Sequence, residues 1–201
     1  MTLLRKCEKQ KGNWRVEFVC GGRALTAARE DRRLLLAAAR SLGGAAAADV
    51  PALVERAAEE RRVSDRHRKD LQARLAAHEA RELWNASVPG SGAGIRHIRL
   101  ILEGADAEYL RQLATRIVEQ GSAVALLATR PAGNVVFAQS AGGAVDVNAL
   151  LRAALAPVGG KGGGTHDFAQ GSAPDSAQPG RLESILDAAI ARLSSSLAAP
   201  G

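Results

Sequence analysis

The residues best suited to chemistry in this chain lie in one glycine-rich segment, residues 159–173. Five of its first six residues are glycine. Glycine permits positive φ and leaves the main chain open, so successive backbone N–H groups could converge on an anion. The segment therefore predicts a loop that binds a phosphate-bearing ligand, and its candidate contact residues are Gly160, Lys161, Gly162, Gly163, Gly164, Thr165, His166, Asp167, Gln170 and Gly171.

This segment differs from both familiar phosphate-binding loops. A Walker loop places Ser or Thr after its lysine, whereas glycine follows Lys161. The dinucleotide fingerprint follows a strand and opens a helix, whereas this segment follows a predicted helix. A flexible linker is the alternative, but a linker has no need of the ordered polar sequence from Thr165 to Gln170. Phe168 and Ala169 are expected to anchor that sequence inward.

The adjacent His166 and Asp167 resemble a catalytic pair, but the segment holds no nucleophile at a strained elbow, so binding is the favoured role. The remaining histidines are scattered without metal-ligand spacing. Cys7 and Cys20 form no Cys-x-x-Cys motif. We expect no catalytic residue, metal or cofactor in this chain. The cysteine usage favours the cytoplasm, and the absence of any long apolar run predicts no membrane segment.

Positive charge is concentrated near the start of the chain. The net charge is +6, and residues 1–42 hold ten Lys and Arg against four Asp and Glu. A helix predicted over residues 23–42 places Arg29, Arg33 and Arg40 within about 40° of one another around its axis. This stripe could contact a polyanion, or it could be an ordinary solvated face; charge alone leaves both open.

The first half of the sequence predicts a strand and two helices. Alternation of Trp14, Val16 and Phe18 indicates a half-buried strand over residues 13–20, paired at most with residues 3–8. We expect it to be the last strand of a sheet that is mostly missing. A long helix is expected from Asp49 to about Asn85. Its balanced charges suggest an arm that pairs between chains, or one that packs on the preceding helix.

The second half predicts a small α/β unit after a Gly-rich and Ser-rich linker at residues 88–94. Apolar alternation and helical spacing define its elements. Strands are expected over residues 95–102, 123–129 and 134–140, and helices over residues 105–120, 146–156 and 179–197. The fold class is therefore α/β: an N-terminal strand and a long helical arm, followed by a small α/β domain.

Two motifs carry a family resemblance. The run Gly162-Gly-Gly-Thr-His-Asp-Phe-Ala-Gln-Gly171 resembles the glycine-rich motif of the DHH-associated domain of alanyl-tRNA synthetases and their free-standing editing relatives. Four residues of the run match the conserved positions of that family motif: Asp167, Ala169, Gln170 and Gly171. Independently, residues 9–25 resemble the end of the editing domain in the same proteins.

The resemblance implies a division into an editing-domain remnant (1–22), a helical arm (23–87), a linker (88–94) and a DHH-associated domain (95–199). It implies alanine tRNA as a partner and an origin in enzymes that hydrolyse mischarged alanine tRNA. The pattern of the arm itself predicts a possible homodimer through that helix. The family's zinc ligands, His-x-x-x-His and Cys-x-x-x-His, do not occur in this sequence. We therefore expect tRNA binding without hydrolysis by this chain alone, with zinc only in the missing editing domain.

A second interpretation comes from the phosphoesterases that carry the same associated domain. Their Gly-Gly-Gly-His segment engages substrate phosphate, and Gly164, Thr165 and His166 permit that comparison only loosely. This interpretation implies binding of nucleotide or single-stranded nucleic acid. This sequence lacks the aspartate cluster that would hold manganese, so catalysis would need a missing partner. A third interpretation is a dimerisation module built on the long helix.

Overall fold

The computed structural model describes residues 2–44, 46–89, 94–176 and 178–198. The chain forms two compact units, Met1–His67 and Arg68–Gly201. The four-part division expected from the sequence stays a prediction. Residues 90–93 of the expected linker lie outside the described residues. Among the described helices, none combines the length and apolar character needed to cross a membrane.

The first unit opens with a β-hairpin. Strand β1 (Thr2–Gln10) pairs antiparallel with strand β2 (Asn13–Cys20). Lys11 and Gly12 both have positive φ, at 46° and 90°, as a tight two-residue hairpin turn requires. The strand expected over residues 13–20 is confirmed, and its partner is the segment named as the only candidate.

The burial expected for this strand is wrong. Trp14 is 67% exposed, Phe18 62% and Val16 50%. In the described part of the unit this strand belongs to a two-stranded sheet. The next element, helix α1 (Gly21–Ser41), contacts the hairpin without covering these side chains. Alternation therefore correctly predicted one apolar face but not a layer packed against it.

Two helices follow the hairpin. Helix α1 (Gly21–Ser41) buries Ala24 and Ala39, while Leu35 is exposed. Helix α2 (Val50–Ala86) confirms the long helix. Residues 50–67 of α2 belong to the first unit and the remainder to the second. In the second unit Ala76 and Ala80 are buried in one hydrophobic cluster with Leu113, a residue of the α/β domain.

The second unit is a five-stranded mixed sheet with helices on both faces. Its strands are β3 (Arg96–Glu103), β4 (Ala123–Arg130), β5 (Asn134–Gln139), β6 (Lys161–Gly164) and β7 (Phe168–Ser172). Their order in the sheet is β3-β4-β5-β7-β6; β3 and β4 are parallel, and the other neighbours are antiparallel. This confirms the α/β class, including all three predicted strands. Its helices are α3 (Ala107–Val118), α4 (Val147–Leu155) and α5 (Arg181–Ala198).

Two hydrophobic clusters flank this sheet. Successive side chains of a strand point to opposite faces, so Leu126 joins one cluster and Leu127 the other. The first cluster includes Phe137 of β5, Leu151 of α4 and Leu186 of α5. The second is formed with α3 and the last turns of α2. Both faces of β4 are therefore covered.

Candidate nucleic-acid interface

The glycine-rich segment forms a β-hairpin at the edge of the sheet. Strands β6 and β7 pair with Lys161 opposite Ser172 and Gly164 opposite Ala169. The predicted anion-binding loop is therefore wrong as local structure. In an extended strand successive N–H groups point in opposite directions, so those of residues 161–164 cannot converge on a single anion.

Close packing explains most of the glycines. A Cβ on Gly162 would lie 2.9 Å from the Gln170 carbonyl oxygen, and one on Gly171 would lie 2.6 Å from Leu155 Cδ1. A Cβ on Gly164 would overlap the Phe168 carbonyl oxygen. At Gly163, by contrast, the nearest atom is Arg152 Nη2 at 3.6 Å, an ordinary contact. Most of these glycines thus let the two strands and helix α4 approach each other.

One end of this hairpin borders a cationic groove of about 400 Å³. Arg111 of α3 and Lys161 of β6 both line it, and both are exposed. Arg111 Nη1 lies 3.4 Å from Gln170 Oε1, so the guanidinium is held near the sheet. The remaining lining residues are Ala107, Asn134, Val135, Val136, Gly162, Gln170, Gly171 and Ser172.

The other end of the hairpin is a turn with a fixed hydrogen-bond pattern. The Thr165 N–H donates to the Phe168 carbonyl oxygen at 2.7 Å, and the Phe168 N–H donates to Thr165 Oγ1 at 3.2 Å. Thr165 therefore closes the turn. Phe168 is partly buried and Ala169 fully buried, which confirms the expected inward anchor.

Within this turn, the Asp167 carboxylate holds the histidine. His166 Nδ1 lies 2.8 Å from Asp167 Oδ1, and Gln139 Nε2 donates to the same oxygen at 2.7 Å. The hydrogen bond from His166, and next the one from Gln139, lower the pKa of Asp167. Among the described residues His166 Nε2 has no hydrogen-bond partner, so it is the ring atom left for a ligand.

Gln139 is a site residue that the sequence did not predict. It ends β5 and is only 4% exposed, and its amide also donates to the Val145 carbonyl oxygen. Gly143 makes room for it, because a Cβ there would overlap the Gln139 amide. The buried amide thus ties the turn to the segment that follows β5. The contact spans 28 residues of sequence, so no local pattern could have revealed it.

The predicted site residues are thus divided among three places. Lys161, Gln170, Gly162 and Gly171 meet at the groove, while His166 and Asp167 lie at the opposite end of β6, roughly 10 Å along the strand. Three predicted cations lie instead on α1 of the first unit and are exposed: Arg29, Arg33 and Arg40.

Arg33 is already engaged within its own helix, since its Nη2 lies 2.6 Å from Glu30 Oε1. That pairing reduces the charge that this position can offer to a polyanion. Among the described residues, no group of three or more His, Cys, Asp or Glu side chains could hold a metal ion.

Comparison with known proteins identifies relatives for most of the chain. Residues 96–195 match the family model described as the DHHA1 domain. An alanine–tRNA ligase of Xanthomonas oryzae pv. oryzae (strain PXO99A) is 34% identical over 166 residues, which cover 80% of this chain and 18% of the ligase. The corresponding ligase of Xanthomonas axonopodis pv. citri is 33% identical over 166 residues. The chain spans about a fifth of the length of these curated relatives.

Solved structures also show similarity. The C-Ala domain from Aquifex aeolicus alanyl-tRNA synthetase is 25% identical, covering 55% of this chain and 96% of that domain, with a TM-score of 0.43. RecJ in complex with Mn²⁺ from Thermus thermophilus is 20% identical, covering 84% of this chain and 25% of RecJ, with a TM-score of 0.45.

Proposed function

Residues 96–195 of this chain belong to the DHHA1 domain family, and from that membership we propose that the chain binds tRNA through the edge hairpin β6–β7. The observation that carries this proposal is the groove in which Arg111 and Lys161 stand beside Gln170. Two exposed cations from different elements converge there on open sheet surface. Such a site suits phosphate groups and is accessible to a ligand as large as a folded RNA.

The two cations suit complementary phosphate contacts. Arg111 presents a planar guanidinium that can donate two parallel hydrogen bonds, whereas Lys161 acts as a compact point charge. The polar side chains of Asn134, Gln170 and Ser172 border the same space. At the opposite end of the hairpin, His166 Nε2 adds one more polar contact. Phosphate contacts position an RNA, and they carry no base specificity directly.

We further propose that the preferred ligand is alanine tRNA and that binding takes place in the cytoplasm. The support is the similarity over 80% of the chain to proteins named alanine–tRNA ligase, together with the motif from Gly162 to Gly171. The comparison that tests this preference is affinity for alanine tRNA against a tRNA of another amino acid. Equal affinities would reject the preference while leaving RNA binding intact.

Binding is proposed to need neither zinc nor a hydrolytic step in this chain. Addition of a zinc chelator such as 1,10-phenanthroline should therefore leave the affinity for tRNA unchanged. The isolated chain should also leave mischarged alanine tRNA intact. Release of the amino acid by the purified chain, or a loss of affinity on chelation, would contradict this part of the proposal.

The direct test of RNA binding is a pair of substitutions with a matched control. Arg111→Ala and Lys161→Ala should together weaken tRNA binding about tenfold or more, since charged hydrogen bonds are among the stronger polar contacts. Arg116→Ala is the control, because Arg116 lies on the same helix and is paired with Glu119 at 2.9 Å. Equal losses in the control and the double variant would reject the groove as the site.

Pairing of two chains through α2 is proposed as well. Leu71 and Leu75 lie one helical turn apart and are exposed, 63% and 50%. Light scattering should show a dimer that the substitutions Leu71→Asp and Leu75→Asp convert to a monomer. A wild-type monomer at tens of micromolar would reject the pairing.

A further inference from the structure

The hairpin β1–β2 exposes an aromatic face that the groove in the second unit does not use. Alternate residues of a strand point to the same side, so Trp14, Val16 and Phe18 share one face of β2. Leu4, directly opposite Phe18, is also exposed. Large contiguous apolar patches on an exposed surface indicate a binding site.

Two lysines lie near the tryptophan. Lys9 lies directly opposite Trp14 in the strand register, and directly opposed residues project to the same side of a sheet. Lys11 lies in the turn, and together with Gln10, Asn13, Trp14 and Arg15 it lines an open depression. Arg15, the next residue along β2, is already paired with Glu17 at 2.8 Å. Within the described part of the chain, Lys9 and Lys11 form none of the ion pairs.

This composition favours a nucleic acid over a protein. Lysine is depleted from the cores of protein–protein interfaces, yet Lys9 stands directly across from the most exposed aromatic residue of the face. The first 42 residues also carry a charge excess of ten Lys and Arg over four Asp and Glu. The charge of the face is thus complementary to a polyanion, and its exposed indole offers a flat surface to a base.

We propose that the hairpin β1–β2 binds unpaired nucleotides of an RNA, with one base stacked on Trp14 and flanking phosphates held by Lys9 and Lys11. Unpaired bases expose their faces for stacking, whereas bases within a duplex do not, and stacking on an aromatic side chain tolerates any base. The inference rests on the proposed function in that its ligand is RNA. It adds that the first unit binds RNA in single-stranded form.

The test uses the full chain and a fluorescein-labelled 12-nucleotide oligouridine, with binding followed by fluorescence anisotropy. Trp14→Ala should weaken binding about tenfold, and Trp14→Phe should retain affinity within about threefold, because phenylalanine keeps a stacking surface. Leu34→Ala is the control and should change affinity less than about twofold, since Leu34 is an exposed aliphatic residue of α1 outside this face. Lys9→Ala and Lys11→Ala should each reduce the salt dependence of binding.

Two further measurements test whether Trp14 stacks on an unpaired base. Saturating oligouridine should quench tryptophan fluorescence in the wild type, and Trp14→Phe should remove that quenching while binding persists. A blunt-ended 12-base-pair RNA duplex should bind equally well to wild type and Trp14→Ala. Unchanged oligouridine affinity in Trp14→Ala would overturn the proposal. An equal loss of affinity for the duplex in Trp14→Ala would also overturn it. So would a Trp14→Ala variant that loses self-association in light scattering while its affinity for RNA is unchanged.

The outcome also separates this inference from the proposed function. If Arg111→Ala with Lys161→Ala leaves tRNA affinity unchanged while Trp14→Ala weakens oligouridine binding, the groove is rejected and the hairpin site stands. If the groove substitutions weaken tRNA binding while Trp14→Ala has no effect on oligouridine, the hairpin site is rejected and the groove stands.

Discussion

The two units of this protein differ in how far they bury their apolar side chains. The second unit encloses large residues such as Phe137, Leu126 and Leu151 between a sheet and its helices. Among the described residues of the first unit, only Ala24 and Ala39 are buried, while Trp14 and Phe18 face outward. Because burial of apolar surface is the main favourable term in folding, stability is concentrated in the second unit. The first unit keeps its aromatic surface available for contacts.

The largest expected effect comes from a substitution in the core of the second unit. Phe137→Ala removes a fully buried aromatic ring and should lower the free energy of unfolding of the second unit by about 3–5 kcal/mol. Leu34→Ala, at an exposed position of α1, should change it by less than about 0.5 kcal/mol. Urea denaturation followed by circular dichroism measures both. Similar losses in the two variants would show that the first unit also has a cooperative core.

A smaller effect tests whether close packing requires the glycines at the edge of the sheet. Gly164→Ala places a Cβ against the Phe168 carbonyl oxygen, and the strain should lower stability by about 1–3 kcal/mol. Gly163→Ala meets only Arg152 Nη2 at 3.6 Å and should be nearly neutral. Thermal unfolding distinguishes them. If both variants have the wild-type midpoint, close packing is not the reason for these glycines.

The next prediction concerns the start of the helix that carries Arg111. The Asp106 side chain caps α3 by accepting the Tyr109 N–H at 2.7 Å, and that bond lowers the pKa of Asp106. Asp106→Ala should therefore cost about 1 kcal/mol of unfolding free energy. Asp70→Ala, which removes an exposed ion pair with Arg74 on α2, should cost less than about 0.5 kcal/mol. Equal costs, measured by urea denaturation, would argue against the cap.

The smallest effect is the pH dependence of the Asp167 turn. The hydrogen bonds from His166 and Gln139 lower the pKa of Asp167 in the folded state. Its contribution to stability is therefore present above the usual aspartate pKa of about 3.9 and is lost as the pH falls through the lowered value.

NMR titration of the Asp167 carboxyl carbon should give a pKa below the usual aspartate range. Gln139→Leu should move that pKa upward, while Gln112→Leu, a change on α3 outside this cluster, should not. A wild-type Asp167 that titrates at or above the usual value would contradict the hydrogen-bond arrangement at this turn.

The sequence predicted most of the second unit because its strands and helices carry strong periodic patterns. Strands β3, β4 and β5 and helices α3 and α4 lie close to their expected bounds. Strand β6 was missed because Lys-Gly-Gly-Gly has no alternating side chains to reveal a strand. The motif from Gly162 to Gly171 nevertheless identified the family correctly, since residues 96–195 match the DHHA1 domain.

What the sequence could not predict depends on contacts between distant residues. Alternation identified the apolar face of β2, but a one-dimensional pattern does not say whether another layer covers that face. Arg111 and Lys161 are 50 positions apart in the chain and meet only because α3 and β6 border the same groove. Gln139 reaches Asp167 in the same way, through the pairing of β5 with β7.

The salt dependence of tRNA affinity tests the central proposal most directly. For wild type, the logarithm of the association constant should fall linearly with the logarithm of salt concentration, because phosphate contacts release counterions. Replacing Arg111 and Lys161 together by alanine should reduce the steepness of that line by about 2, or about 1 for each lost phosphate contact. A double variant with the wild-type slope and affinity would contradict the proposal that this groove binds RNA.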